Sequence, residues 1–130
     1  MEESARMDKA SESTVHGDAT RNLIEVRYRG RVTAVEAKAV SAVVMDLLPQ
    51  MRQGFTFLAD LSNLESMELD CVSYITKIMD ACNASGIGTV VRIIPDPRKD
   101  IGLNILSIIH YRRGVHVLTF QDSAEAERAM

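Results

Sequence analysis

Polar and apolar residues alternate in the first part of the chain. A strand is predicted at Leu23–Tyr28, because Ile24, Val26 and Tyr28 alternate with charged residues, which is the period of a strand with one buried face. A shorter strand is predicted at Ser13–His16, and the Gly17-Asp18 pair favours a turn between the two strands. Gly30 is expected to end the second strand. The pattern therefore predicts a β-hairpin.

Helical patterns dominate the rest of the chain. After Thr33, apolar residues recur every three or four positions, which predicts a helix with one buried face. Its first residues, Thr33-Ala-Val-Glu36, match a capping box, in which the Thr and Glu side chains bond to each other's backbone N–H. The four predicted helices begin near Thr33, Leu69, Asp96 and Asp122, and the first three end near Met51, Ala84 and Gly114.

Three short apolar runs separate these helices, namely Phe55–Ala59, Thr89–Ile94 and Val115–Phe120. Strands that alternate with helices imply crossover connections and a largely parallel sheet covered by helices. The sequence therefore predicts an α/β fold, with a mixed, mostly parallel sheet of four to five strands and about four helices. We expect residues 1–10, which are small and polar, to be a disordered tail, and residues 11–130 to form one domain.

Composition narrows the class of protein. The chain is 46% hydrophobic and 25% charged, which is typical of a soluble globular protein. A net charge of -3 disfavours nucleic-acid binding, and no apolar run has the roughly 20 residues that span a bilayer. No signal peptide is apparent. Cys71 and Cys82 imply no disulfide framework, so we expect a cytoplasmic protein with free thiols.

A cluster of acidic residues and one cysteine follows the strand that ends at Ala59. Catalysis by Cys71 requires a nearby base, and no histidine is close in sequence. Glu68 and Asp70 are expected to raise the thiol pKa, which favours a structural cysteine. Asp60 is expected to cap a loop formed by residues 61–63. No glycine-rich phosphate loop and no metal-ligand spacing occur, so we predict no catalytic residue, cofactor or metal.

Four stretches, taken with the order of elements, resemble the STAS family, which contains the anti-sigma-factor antagonist domains and SpoIIAA-like proteins. They are IEVRYRGRVTAVEA, FTFLADLSNLESMELDCVSYI, GTVVRIIPDP and VHVLTFQDSAEAERA. The last is similar to the closing strand and helix of the family. The resemblance covers the chain from about residue 13 and implies a single STAS-like domain.

The resemblance implies a non-catalytic module that docks onto a protein partner. In the family, a motif Asp-Ser-(Ser/Thr)-Gly opens the second helix, and phosphorylation of a serine there breaks the complex by adding negative charge. Counting from Asp60 places Glu68-Leu69-Asp70-Cys71 on this motif, with Leu69 at the phosphoserine position. A shift of two residues instead places Cys71 there. Both alignments predict that the usual phosphoswitch is missing.

The resemblance and the acidic cluster together predict a partner-binding surface at the start of the second helix. Its predicted residues are Asn63, Glu65, Ser66, Glu68, Leu69, Asp70, Cys71 and Ser73. Ser66 and Ser73 are the nearest hydroxyls and are the candidate phosphorylation sites. The expected partner is an anti-sigma factor, a related kinase or another regulator in a bacterial cytoplasm.

Three alternatives stay open at this point. The apolar helix after Asp96 leaves room for a homodimer through an exposed patch. A SpoIIAA-like protein that binds an apolar ligand or a nucleotide is the main alternative function. An enzyme that uses Cys71 is disfavoured, and it requires a histidine or lysine beside the thiol in the folded chain.

Overall fold

A computed structural model describes residues 12–94 and 114–130. The strands are β1 (Thr14–Asp18), β2 (Leu23–Val32), β3 (Thr56–Met67), β4 (Thr89–Ile93) and β5 (His116–Phe120). The helices are α1 (Ala34–Leu47), α2 (Cys71–Ala84) and α3 (Ser123–Ala129), with a 3-10 turn at Leu48–Gln50. The tail predicted at 1–10 and the helix predicted after Asp96 lie outside the described residues. The assignment of 11–130 to one domain stays a prediction.

The five strands form one mixed sheet in the order β1-β2-β3-β4-β5. β1 is antiparallel to β2, and every later pair is parallel. This confirms the predicted α/β class and the mixed, mostly parallel sheet. The described residues contain three α-helices, one fewer than the predicted number of about four.

Helices cover both faces of the sheet. α1 and α2 pack against each other over one face, where Val40 and Val44 join Ile24, Val26 and Phe57 in the main core. On the opposite face, α3 packs against β4 and β5. Its Ala126 closes a smaller cluster with Leu23, Leu58, Val91 and Ile93. Two cores are consistent with a parallel sheet, whose strands are buried on both faces.

β2 and β3 are longer than the sequence pattern predicts. β2 continues past Gly30, which has a φ of 65°, and ends at Val32. β3 continues past Ala59 to Met67, so residues 61–63 belong to a strand and not to the predicted loop. Two shifts of register between β2 and β3 permit this extension, because each bulge bends the strands while pairing resumes beyond it.

The first helix begins as predicted, but its capping box forms only in part. The Thr33 side chain accepts a hydrogen bond from the N–H of Glu36 at 3.2 Å. The Glu36 carboxylate does not bond to the backbone N–H of Thr33, and instead accepts from the N–H of Ser13 at 3.1 Å. This bond ties the start of β1 to the first turn of α1, 23 residues further along the chain.

The remaining turns differ from the prediction at their boundaries. β1 continues through the Gly17-Asp18 pair, and the turn that follows ends at Asn22, which has a φ of 54°. α2 begins at Cys71, two residues later than predicted, because Leu69 and Asp70 form a turn before it. At α3, the Asp122 side chain accepts from the N–H of Glu125 at 2.7 Å, as its capping signal predicts.

Candidate functional site

The extended pairing of β2 with β3 brings two helix starts together. The last paired residues are Val32 and Met67, so α1 and α2 begin beside each other at the carboxyl ends of these two strands. The Val32 carbonyl accepts from the N–H of Glu68 at 3.0 Å. It also accepts from the Cys71 thiol, whose sulfur lies 3.6 Å away. We call this meeting point of the chain, around Val32 and Glu68, the helix-start junction.

Glu68 joins the two helices at this junction. Its Oε1 accepts from the N–H of Ala34, the first residue of α1, at 2.7 Å. The first N–H groups of a helix have no partner within the helix and carry partial positive charge. A carboxylate at this point is therefore stabilising. Sequence reasoning placed Glu68 on the docking surface but missed this bond, because the two residues are 34 positions apart.

Asp70 occupies the N-cap position of α2 and does not cap it with its side chain. Its backbone is helical, with φ of -64° and ψ of -13°, and no side-chain capping bond forms. The Ser73 hydroxyl donates to the Asp70 backbone carbonyl at 3.1 Å. The Asp70 carboxylate is therefore left at the surface, where it contributes charge to the junction.

The predicted docking residues divide into exposed and buried ones. Leu69 is 85% exposed, a large fraction for an apolar side chain. Cys71 lies in the core with no exposed surface, so its thiol is out of reach of a partner. The exposed members of the predicted set are Asn63, Glu65, Ser66, Glu68, Leu69, Asp70 and Ser73.

Both described cysteines are free and buried. Burial raises the pKa of the Cys71 thiol, and the nearby charge of Glu68 raises it further. Burial also raises the pKa of Cys82 to about 12. Reactive cysteines show a lowered pKa and partial exposure, so neither thiol has the properties of an activated nucleophile.

Asp60 belongs to an ion network on the β2–β3 surface. One carboxylate oxygen accepts from both the N–H of Ser62, at 2.9 Å, and the Ser62 hydroxyl. The other pairs with Arg27, which also contacts Glu25 at 3.2 Å. The predicted bond from Asp60 to the following residues therefore exists, but within a strand. Every carboxylate oxygen of Asp60 is engaged, which favours a structural role.

A cavity of about 260 Å³ lies at the other end of the sheet, lined by Arg21, Leu23, Thr56 and Met130. Leu23 and Thr56 begin β2 and β3, whereas the helix-start junction follows the ends of the same strands. Half of its lining residues are polar. The ligand-binding alternative is favoured by a continuous apolar cavity with convergent polar groups, whereas the lining of this cavity is half polar.

Neither a metal-ligating cluster nor a membrane-spanning helix occurs within 12–94 and 114–130. In that part of the chain, no three His, Cys, Asp or Glu side chains come together as a metal site. None of the helices described there is both long and apolar enough to cross a bilayer.

Comparisons with known proteins give matches only at the level of structure. No family model matches the sequence, and no curated protein does. An uncharacterized protein from Shewanella loihica with a SpoIIAA-like fold superposes with a TM-score of 0.67 at 12% identity, covering 90% of both chains. The unphosphorylated anti-sigma factor antagonist SpoIIAA gives 0.61 at 12% identity, over 90% of this chain and 94% of that one. The chain has the SpoIIAA-like, or STAS, fold.

A third neighbour with the SpoIIAA-like fold comes from a complex. In the structure of the diguanylate cyclase SiaD with its activator SiaC from Pseudomonas aeruginosa, the TM-score is 0.56 at 11% identity. The match covers 87% of this chain and 94% of that chain. The resemblance found in the four sequence stretches is thus confirmed for the fold.

We expect the Glu68 bond to contribute measurably to stability. Replacing Glu68 with Ala should lower the free energy of unfolding by about 1 kcal/mol, the usual effect of losing a helix cap. Glu68→Gln keeps an acceptor and loses the charge, so it should cost only about 0.3–1 kcal/mol. Urea denaturation measures both, with Glu65→Ala as the exposed control. Equal stability of Glu68→Ala and Glu65→Ala would contradict the assignment.

The raised thiol pKa of Cys82 predicts a loss of stability at high pH. Above its ordinary value of 9.0, an unfolded thiol loses its proton, whereas the folded thiol keeps it up to about pH 12. The free energy of unfolding should therefore fall as pH rises through this window, by up to about 1.4 kcal/mol per pH unit. In Cys82→Val the fall should be less steep. Urea midpoints across this range test the prediction, and an unchanged slope in the variant would refute it.

Proposed function

We propose that this protein is a non-catalytic regulatory module that binds a protein partner through the exposed residues of 63–73. The observation that carries the proposal is the exposure of seven of the eight predicted docking residues around the helix-start junction, including the apolar Leu69 at 85%. Exposed apolar surface inside a polar rim is a feature of interaction sites. The fold supports the proposal, because SpoIIAA is an anti-sigma factor antagonist and SiaC is the activator of SiaD.

The internal bonds of the junction favour binding without rearrangement. The backbone of Glu68 is bonded to Val32 and its carboxylate to Ala34. Residues on either side, such as Glu65 and Leu69, are left exposed by this arrangement. A surface that is already ordered loses less conformational entropy when a partner binds. The junction thus supplies a fixed backbone that carries exposed side chains.

The buried thiols support the non-catalytic part of the proposal. A Cys71 nucleophile would have to leave the core and give up its bond to Val32. The neighbours suggest an anti-sigma factor or another regulatory protein as the partner class, and the resemblance to the STAS family adds a related kinase. A homodimer and a cytoplasmic location stay predictions.

The docking surface can be tested by site-specific photo-crosslinking in the cells that make the protein. A photoreactive residue at position 73 should form a discrete adduct with one protein, because Ser73 is exposed beside the junction. The same residue at position 42, an exposed site within α1, is the control. The captured protein is then purified and titrated against variants of the full chain.

In that titration, Glu65→Lys and Asp70→Lys should each weaken binding by about fivefold to tenfold, because charge across an interface sets specificity. Asp46→Lys makes the same charge change in the last turn of α1 and should leave the affinity unchanged. Charge reversal at Glu68 is avoided, because it would also remove the bond to Ala34. Equal affinity of all three variants, or equal adducts at positions 42 and 73, would refute the proposal.

We further propose that a phosphoswitch, where a kinase acts on this protein, has moved from the usual motif position to Ser66 or Ser73. Ser66 pairs with Arg31 in the β2–β3 register, and both are exposed. A phosphate on Ser66 would therefore lie near a positive charge. A phosphate on Ser73 would be stabilised by the partial positive charge at the start of α2, but the nearby Asp70 carboxylate would repel it. These charges favour Ser66.

Incubation of the protein with ATP and a captured kinase partner tests this order of preference. Mass spectrometry should locate the phosphate on Ser66, and Ser66→Ala should abolish it while Ser73→Ala should not. Phosphate on Ser73 alone would contradict the electrostatic argument. No phosphate on either serine would contradict the moved switch and leave a docking module with fixed charge.

A further inference from the structure

Two apolar side chains of the described residues are exposed far more than the others. Val35 is 80% exposed and Leu69 is 85% exposed. The other exposed large apolar residues within 12–94 and 114–130 are Leu118 at 40% and Met130 at 42%. Single exposed apolar residues are common on protein surfaces, so the position of this pair is what matters.

Val35 and Leu69 lie on either side of a single hydrogen bond. The Glu68 carboxylate accepts from the N–H of Ala34 at 2.7 Å. Val35 directly follows Ala34, and Leu69 directly follows Glu68. Both residues therefore lie at the helix-start junction, each one position from an end of this bond, although 34 residues separate them in the sequence. They extend the docking surface from the 63–73 segment onto the start of α1.

The packing of the chain itself does not explain this pair. Leu69 precedes the N-cap Asp70, a position from which an apolar residue often packs onto the fourth residue of the helix, here Tyr74. Its 85% exposure excludes that contact as a reason for Leu69. Val35 lies off the buried face of α1, which is formed by Ala37, Val40 and Val44 among others. Neither side chain contributes to the core.

Acidic side chains outnumber basic ones around the pair. The carboxylates at or beside the junction are Glu36, Glu65, Glu68 and Asp70, whereas the nearby basic residues are Arg29, Arg31 and Lys38. Two of these carboxylates already accept backbone bonds, Glu36 from Ser13 and Glu68 from Ala34. The carboxylates of Glu65 and Asp70 make no such bond within the described part of the chain. A second copy of this surface would bring like charges together, which disfavours self-association here.

We propose that Val35 and Leu69 form the apolar anchor of the docking surface, and that its partner segment presents apolar side chains flanked by Lys or Arg. Burial of an apolar centre inside a charged rim is the usual arrangement of a binding hot spot. The acidic side chains around the pair, with Glu65 and Asp70 among them, form the rim that selects the basic partner, and the anchor supplies the affinity. This inference rests on the proposed docking function and names the chemistry of its partner.

Three synthetic amphipathic peptides of about five helical turns test the proposal with the full chain. One combines Leu with Lys, the second combines Leu with Glu, and the third replaces Leu by Ser and keeps Lys. In NMR titrations of isotope-labelled protein, the Leu/Lys peptide should shift the amides of Val35 and Leu69–Ser73. The Leu/Glu peptide should not bind, and the Ser/Lys peptide should bind at least about tenfold more weakly.

Variants separate the anchor from the rim. The double variant Val35→Ser/Leu69→Ser should lower the affinity for the Leu/Lys peptide by about tenfold or more. Both side chains are exposed, so its unfolding midpoint should match that of the unchanged protein. Replacing exposed Ala42 with Ser is the control for a polar change on α1. Added salt should weaken binding through the rim.

Each outcome has a defined meaning. Shifts confined to 63–73, with full affinity in the double variant, would refute the anchor and leave the docking function intact. Equal binding of the Leu/Lys and Ser/Lys peptides would also refute it. Shifts on another face of the molecule would refute the proposed partner chemistry. The docking function itself fails separately, through the crosslinking test at position 73.

Discussion

The parallel pairing of β2 with β3 is the constraint on which the rest of this structure depends. β2 pairs with β1 on its other side, and β3 with β4, so these two strands carry the centre of the sheet. Their pairing continues to Val32 and Met67, beyond the last paired residues of β3 and β4. Because only one residue separates β2 from α1 and three separate β3 from α2, the paired strand ends determine where the two helices begin.

That constraint explains why the residues of the proposed docking surface are exposed at the junction. Two helix starts side by side present N–H groups that need acceptors. The N–H of Glu36 is bonded by the Thr33 side chain at the start of the same helix. The N–H of Ala34 is bonded by Glu68, which follows the end of β3. The backbone is thereby fixed without covering the side chains that follow. Val35 and Leu69 are left exposed by the same contacts that hold the junction together.

The negative charge at this surface comes from side chains of the chain itself, and phosphorylation is not needed to supply it. Glu68 carries a permanent negative charge into the start of α1, and Asp70 carries another to the start of α2. The resemblance to the STAS family places one of these acids where a hydroxyl residue is expected. A partner at the proposed docking surface would therefore meet negative charge that does not depend on a kinase. This fixed charge is the physical basis for expecting a basic partner.

Local patterns in the sequence were sufficient for much of the fold. Alternation in 23–28, the Thr33 cap and the Asp122 cap were each confirmed, because they depend on residues within a few positions of one another. The extension of β3 to Met67 was missed. Polar residues of 62–66 resemble a loop, and they form a strand only because β2 offers backbone partners beside them.

The sequence by itself determined the order of elements, the α/β class and the segment on which the docking surface was predicted. Only the tertiary structure decided which of those residues are available to a partner. It buried Cys71, bonded the Glu68 carboxylate to the first residue of α1, and brought the exposed Val35 and Leu69 to the same junction. The physical reason is that period and capping signals act over a few residues. Burial and the choice of a hydrogen-bond partner depend on residues more than thirty positions away.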